Sequence, residues 1–279
     1  MRNTKIEWCD DSWNPITGCK HNCEYCYARR IAARFGGFDG YGCEEDHERV
    51  ETLGKYELQK PAYIKRGTER KMVKAPFPFG FEPTLHRYRL DEPQHWKNPR
   101  NVFVGSMADI FGEWTPDSWI EEVFAACEKA PRHRYIFLTK NPARYARLDK
   151  PQGKNFWFGA SATNHQSAEF AFRHLPPSWG YNFFLSAEPL LDGINLNALS
   201  DWPRWVIVGA MTGPGASQNQ PRKEWVGDIV RWAEQRKIPV FMKDSLIPVI
   251  GEERMIQEFP WEQPGTSANE AAYRRWSDK

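Results

Sequence analysis

The stretch Asn101-Val102-Phe103-Val104-Gly105-Ser106-Met107-Ala108-Asp109 is an apolar run of strand-forming residues that ends in polar ones. A first such strand is predicted near 12–16, and five further runs follow, at 134–138, 156–159, 181–185, 205–209 and 239–242. Amphipathic helical stretches separate them, which is typical of parallel strands joined by right-handed crossovers. Because each strand is nearly all apolar, both of its faces should be buried. The sequence therefore predicts an α/β fold, a partial TIM-type β/α barrel of six or seven parallel strands.

The composition of the 279 residues is that of a globular protein, since 41% are hydrophobic and 27% are charged. This balance excludes disorder as the dominant state. A net charge of +2 is too small for the molecule as a whole to attract a polyanion such as a nucleic acid, so any nucleic-acid surface must be a local patch. A mean hydropathy of −0.70 and the absence of a long apolar run exclude a membrane span, and we expect no membrane among the partners. We expect no secretory signal in residues 1–5 and a cytoplasmic location.

A helix is predicted over 27–35, because Tyr27, Ile31 and Phe35 recur at helical spacing. Gly36-Gly37 is the expected end of this helix. We treat residues 1–279 as one domain in which an irregular insertion, 38–100, follows the helix.

The insertion is basic and aromatic. Residues 55–100 contain eleven lysines and arginines against five aspartates and glutamates, a local charge of +6, with seven aromatic residues among them. Cations can neutralise phosphates while aromatic rings stack on bases, so DNA or RNA is a possible partner of 55–100. The alternative is that the rings pack beneath a lid and the charges face water.

Three of the six cysteines, Cys19, Cys23 and Cys26, follow the spacing C-x3-C-x2-C within one short stretch. Three thiolates this close can bind three irons of a cubane and leave the fourth iron open to an outside amine and carboxylate. The alternative is a zinc knuckle that adds His21 or Cys9 as a ligand.

This spacing, combined with the strand pattern, resembles the radical S-adenosylmethionine superfamily. The chain is similar in particular to phage-associated three-cysteine proteins of unassigned function, some of which resemble spore photoproduct lyase around the cluster. The stretches that carry the resemblance span roughly 12–245, and they are 23–30, 103–111, 137–140 and 185–190.

The resemblance implies a [4Fe-4S] cluster on Cys19, Cys23 and Cys26, with S-adenosylmethionine bound to the unique iron. One electron from a donor protein then releases methionine and a 5′-deoxyadenosyl radical, which abstracts hydrogen from a substrate. The leading hypothesis is an enzyme that modifies or repairs a nucleobase in DNA or RNA. The alternatives are the same chemistry on a peptide or small metabolite, and a non-catalytic zinc or iron-sulfur module that binds nucleic acid.

The resemblance also assigns residues to the cofactor. Tyr25 would lie beside the adenine, and Gly105-Ser106-Met107 stands where the family has Gly-Gly-Glu, with Asp109 as a substitute carboxylate. The other candidates are Lys140 for the methionine carboxylate, Ser161 and Ser186 for the ribose, and Gly209 on the strand that supports the adenine.

Three residues are candidates for the substrate chemistry. A thiol such as Cys43 can return a hydrogen atom to a product radical. Lys243 and Glu188 follow predicted strands at their carboxyl ends, where β/α folds place their sites, and helix capping explains these two residues poorly.

Overall fold

The computed structural model describes residues 4–36, 56–66, 71–174, 182–199, 202–262 and 267–277. The strands are β1 (Asp11–Trp13), β2 (Ile16–Thr17), β3 (Tyr56–Leu58), β4 (Tyr63–Arg66), β5 (Lys71–Lys74), β6 (Thr84–His86), β7 (Asn101–Val104), β8 (Arg134–Thr139), β9 (Phe156–Ser161), β10 (Asn182–Ala187), β11 (Val206–Val208) and β12 (Val240–Met242). The α-helices are α1 (Tyr27–Phe35), α2 (Asp117–Glu128), α3 (His165–His174), α4 (Lys223–Arg236), α5 (Ile247–Ile250) and α6 (Ser267–Ser277). No helix in these ranges is both long and apolar enough to cross a membrane.

The chain divides into two compact units, and β8 contributes to both of them. The described part of Cys9–Phe137 forms most of the first unit, together with Leu148–Pro151. The second consists of Ile6–Trp8, Leu138–Arg147 and the described part of Gln152–Lys279. The prediction of a single domain over 1–279 stays a prediction.

In the first unit, β7 lies between β1 and β8, and both neighbours run parallel to it. Phe103 pairs with Ser12 on one side and with Ile136 on the other. Val102, Phe103 and Val104 are all buried, as expected for a strand covered on both faces.

In the second unit, β9, β10, β11 and β12 are parallel neighbours in that order. Trp205, which immediately precedes β11, is fully buried, and its indole nitrogen donates to the Glu258 carbonyl at 2.9 Å. Its ring contacts a set of aromatic side chains, namely Trp8, Trp157, Phe184, Phe241, Phe259 and Trp261. Aromatic packing of this kind supplies much of the buried area of a core.

The predicted α/β class and its parallel strands are confirmed, because the sheet order is β1-β7-β8-β9-β10-β11-β12 and every described register in it is parallel. The single first strand expected near 12–16 is wrong in detail. Pro15, which has no N–H to donate, separates β1 from β2, and β2 instead pairs antiparallel with β6.

The bounds predicted for α1 are confirmed, but the face it buries is different. Ala28 and Ala32 are buried, in a cluster with Phe77 and Met107. Small side chains on the inner face let the helix backbone approach its neighbours closely. The large residues of the helix are instead 36–43% exposed, and they are Tyr27, Ile31 and Phe35.

The insertion 38–100 is more regular than expected where it is described. Strands β3 and β6 form a small mixed sheet with β2, and β4 and β5 form a separate antiparallel hairpin. The segments 38–55 and 67–70 lie outside the described residues.

We expect the substitution Gly159→Ala to lower the free energy of unfolding by about 1–3 kcal/mol, because it overpacks the second unit. Gly159 pairs with Phe184 across β9 and β10, and a Cβ at Gly159 would lie 2.3 Å from the Phe184 ring. Phe184→Leu makes room for that methyl group, so Gly159→Ala should cost less in this background. Urea unfolding of the wild type, the two single variants and the double variant measures the free energy of unfolding of each. If Gly159→Ala lowers it equally in the wild type and in Phe184→Leu, the steric contact between these two residues is contradicted.

Candidate functional site

The three predicted cluster cysteines lie on the loop between β2 and α1, residues 18–26, which we call the cysteine loop. The Gly18 N–H donates to the Met107 carbonyl at 2.9 Å, and the Cys19 N–H donates to the Phe81 carbonyl at 3.1 Å. Gly18 has a φ of +92°, and a Cβ there would lie 2.2 Å from the Glu82 carbonyl oxygen. Glycine is therefore required where the loop begins.

Hydrogen bonds within the cysteine loop hold the three cysteines to one another. The Cys26 N–H donates to the Cys23 carbonyl at 3.1 Å, after a left-handed turn at Asn22. Cys26 is also the N-cap of α1, where its sulfur accepts the Arg29 N–H at 3.4 Å. The Arg29 guanidinium donates to the Cys19 carbonyl at 3.0 Å, so a single residue braces both ends of the loop.

The thiol of Cys19 is strongly perturbed. Its pKa is raised to about 12, chiefly by burial; the backbone hydrogen bond from His21 opposes this rise, and the negative charges of Asp109, Cys26 and Cys23 add to it. The three sulfur groups are therefore close enough to repel one another as thiolates. Without a cation, Cys19 is a protonated thiol at neutral pH, and metal binding must displace its proton.

A histidine-carboxylate pair lies in the same unit and was not predicted. His21 Nε2 lies 2.7 Å from Asp109 Oδ2, and Asp109 Oδ1 accepts the Phe111 N–H at 3.2 Å. The ring of Trp114 packs edge-on against His21, with 4.8 Å between centroids. Sequence reasoning considered His21 only as a zinc ligand, and no periodic pattern connects it with Asp109.

The segment after β7 is anchored by Asn14. The Ser106 hydroxyl is hydrogen-bonded to the Asn14 side chain, whose oxygen also accepts the Met107 N–H at 2.8 Å. The Tyr27 hydroxyl donates to the Ser106 carbonyl at 2.6 Å. The Ser106 side chain, expected to face the cofactor, is thus buried and bonded to its own scaffold.

Three cysteines on one loop are a donor set that both zinc and an iron-sulfur cluster accept. No group of three or more His, Cys, Asp or Glu side chains in the described ranges is arranged to hold one metal ion. A zinc knuckle needs such convergence. In a cubane each thiolate binds a different iron, so convergence on one point is not required. Cys19, Cys23 and Cys26 are all free thiols with partial exposure.

The second unit also places predicted residues side by side. Ser161 and Ser186 are register partners on β9 and β10. Ser186 is fully buried, and its hydroxyl has no hydrogen-bond partner among the residues that the structure describes. A buried hydroxyl of this kind suits a bound polar group such as a ribose hydroxyl.

A charged cluster occupies the carboxyl ends of β10, β11 and β12. Lys243 forms an ion pair with Glu188, and a Cβ on Gly209 would lie 3.1 Å from the side chains of both. Glu7, which sequence reasoning missed, accepts the Asp244 N–H at 2.7 Å. Burial is the largest cause of the raised pKa of Glu7, and the charges of Asp244 and Glu188 add to it.

The remaining candidates are less informative. Tyr25 and Lys140 are half-buried and make other contacts. Cys43 lies outside the described residues. The first unit therefore brings the three cysteines and Asp109 together, while the second brings Glu188, Lys243 and Gly209 together.

Comparison with known proteins identifies a family. A family model described as "Protein of unknown function (DUF5131)" matches residues 3–247. No curated protein and no solved structure matches the chain.

The raised pKa of Cys19 predicts slow alkylation of that thiol in the folded, metal-free protein. Because the thiolate is the nucleophile, iodoacetamide at about pH 8 should label Cys19 at least about tenfold more slowly than in the unfolded chain. The native rate should rise as the pH approaches about 12. Quenched labelling with peptide mass spectrometry measures both rates, and equal rates at pH 8 would show that Cys19 is not shielded.

Proposed function

The chain belongs to the DUF5131 family, and because that description names no activity, we propose one from the cysteine loop: a radical S-adenosylmethionine enzyme. Cys19, Cys23 and Cys26 would hold a [4Fe-4S] cluster. The observation that carries the proposal is the gathering of three free thiols with C-x3-C-x2-C spacing on one braced loop.

When bound, the cluster supplies the electron that cleaves S-adenosylmethionine to methionine and a radical able to abstract hydrogen. The chain's own residues position the ligands. The Arg29 N–H donates to the Cys26 sulfur and remains available to a metal-bound thiolate. The His21–Asp109 pair and the Trp114 ring restrain the middle of the loop, and the indole limits access of water to His21.

The finer assignments belong to the same proposal. We infer that the parallel sheet is a partial barrel of the TIM type and that the protein works in the cytoplasm, where thiols stay reduced. An electron donor protein would reduce the cluster. The buried Ser186 hydroxyl supports a ribose contact. Gly209 stays the proposed residue on the strand that supports the adenine, although the Glu188 and Lys243 side chains lie directly beside it.

For the substrate, we propose a nucleobase in DNA or RNA that is recognised through 55–100. Tyr63, Lys60 and Lys74 are exposed at the hairpin of β4 and β5 and support this hypothesis. Other rings of the segment pack internally: Phe77 is buried, and Tyr56 stacks on Phe79 with 3.9 Å between centroids. These observations favour the exposed residues of the hairpin, rather than the whole insertion, as the proposed surface for a nucleic-acid strand.

Anaerobic reconstitution tests the cluster. The wild-type chain should bind about four iron atoms and absorb light at roughly 400 nm. When it is reduced in the presence of S-adenosylmethionine, it should form 5′-deoxyadenosine. Cys19→Ser, Cys23→Ser and Cys26→Ser should each lose the product and most of the iron. Cys9→Ser is the matched control, a partly exposed thiol outside the loop that should change neither quantity. A colourless protein that holds stoichiometric zinc would overturn the proposal.

Charge reversal tests the nucleic-acid surface. Glutamate at four hairpin positions should weaken binding of a single-stranded oligonucleotide at least about tenfold at low salt and flatten the salt dependence, since phosphate contacts are lost. These positions are Lys65, Arg66, Lys71 and Lys74. The control reverses four exposed cations elsewhere, Lys129, Arg173, Lys223 and Arg274. If both sets weaken binding equally, the hairpin is not the binding surface.

A further inference from the structure

The second unit contains a groove of about 720 Å³ that neither the cysteine loop nor the charged cluster uses. It lies along α4, beside residues 193–197 after β10 and the first residue of α3. Trp232, Ile194 and Leu196 are buried side chains of its wall, and Trp225 lines it about two turns before Trp232 on the same face of α4. We call it the tryptophan groove. Its volume is within the range of small-ligand sites.

The polar lining of the tryptophan groove is electrically neutral. Its two formal charges, on Asp228 and Arg231, form an ion pair of 2.7 Å. The other polar side chains of the lining are His165 and three amides that present both donors and acceptors, and the amides are Asn195, Asn197 and Gln235. Such a lining suits an uncharged ligand that has an edge of alternating donors and acceptors.

Two buried nitrogen atoms of the lining lack hydrogen-bond partners in the described parts of the chain. They are Nε1 of Trp232 and Nδ1 of His165. Trp232 is only 3% exposed, so water does not readily solvate its N–H. Buried indole N–H groups normally find an acceptor, which a bound ligand can provide.

The indole rings are held in place by their neighbours. The Arg236 guanidinium lies 4.8 Å from the centroid of Trp232 and 5.1 Å from that of Trp202. The Trp225 ring contacts the backbone at Gly193, where an added Cβ would lie 3.3 Å from the indole. Because these rings are already held in place, little side-chain conformational entropy is lost when a planar ligand binds against them.

We propose that the tryptophan groove binds an uncharged planar heterocycle of the nucleobase type, either as a free nucleoside or as an unpaired base in a strand. A nucleobase has faces that pack against indole rings and ring nitrogens or carbonyls that can accept the Trp232 N–H. Its edge also matches the donor and acceptor pair of an Asn or Gln amide. This inference does not depend on the iron-sulfur proposal.

Calorimetry on the full-length chain with uridine, cytidine, adenosine and guanosine is the test. At least one nucleoside should bind, and Trp232→Phe, which keeps an aromatic ring but removes the N–H, should weaken that binding about three- to tenfold. Trp276→Phe is the matched control. Its buried indole donates to the Arg254 carbonyl at 3.0 Å outside the groove, so this variant should bind normally.

Further variants and a competition experiment distinguish the outcomes of this test. Asn195→Ala and Gln235→Ala change exposed side chains and should also weaken binding, which covers the case that Trp232→Phe does not fold. If a single-stranded oligonucleotide competes with the nucleoside for the groove, the natural ligand is an unpaired base in a strand. If the oligonucleotide does not compete, the natural ligand is a free nucleoside. A variant with serine at Cys19, Cys23 and Cys26 should bind nucleosides unchanged, which separates this test from the cluster.

Three results would overturn the inference. The first is no binding of any nucleoside at concentrations up to about 10 mM. The second is nucleoside binding that Trp232→Phe, Asn195→Ala and Gln235→Ala all leave intact, because the site would then lie elsewhere. The third is binding of methyl glucoside but of no nucleoside, which would indicate a sugar site.

Discussion

The backbone at Gly18 determines where the cysteine loop lies. Its N–H is bonded to the Met107 carbonyl, and its α-carbon lies so close to the Glu82 carbonyl that no side chain fits. The loop is thereby joined to the segment that follows β7, which Asn14 anchors in turn. The backbone contacts fix where the loop begins, while the side chains of His21 and Arg29 restrain its middle and its two ends.

The electrostatics of the loop follow from that placement. Burial and neighbouring negative groups keep the Cys19 thiol protonated, a state that a metal cation reverses. His21 and Asp109 lie close to each other in the same unit, so the site already contains its own carboxylate. A buried site of this character disfavours the bare thiolate of Cys19.

The second unit shows that parallel strands can support two separate polar sites. At the carboxyl ends of β10 to β12, Glu188 and Lys243 neutralise one another above Gly209, and Glu7 arrives from the N-terminal segment. The tryptophan groove instead lies along α4 and contains neutral amides and indoles. The first arrangement suits charged groups, while the second suits an uncharged ring.

The sequence by itself determined the features that depend on local patterning. Apolar runs located the parallel strands, and helical spacing gave the bounds of α1, because both signals lie within a few neighbouring residues. Only the tertiary structure decided which face of α1 is buried, since that depends on the space beside Ala28 and Ala32. It alone paired His21 with Asp109 and Glu7 with Asp244, which are 88 and 237 residues apart. Contacts over such separations arise from strand order and packing, which no local pattern in the chain encodes.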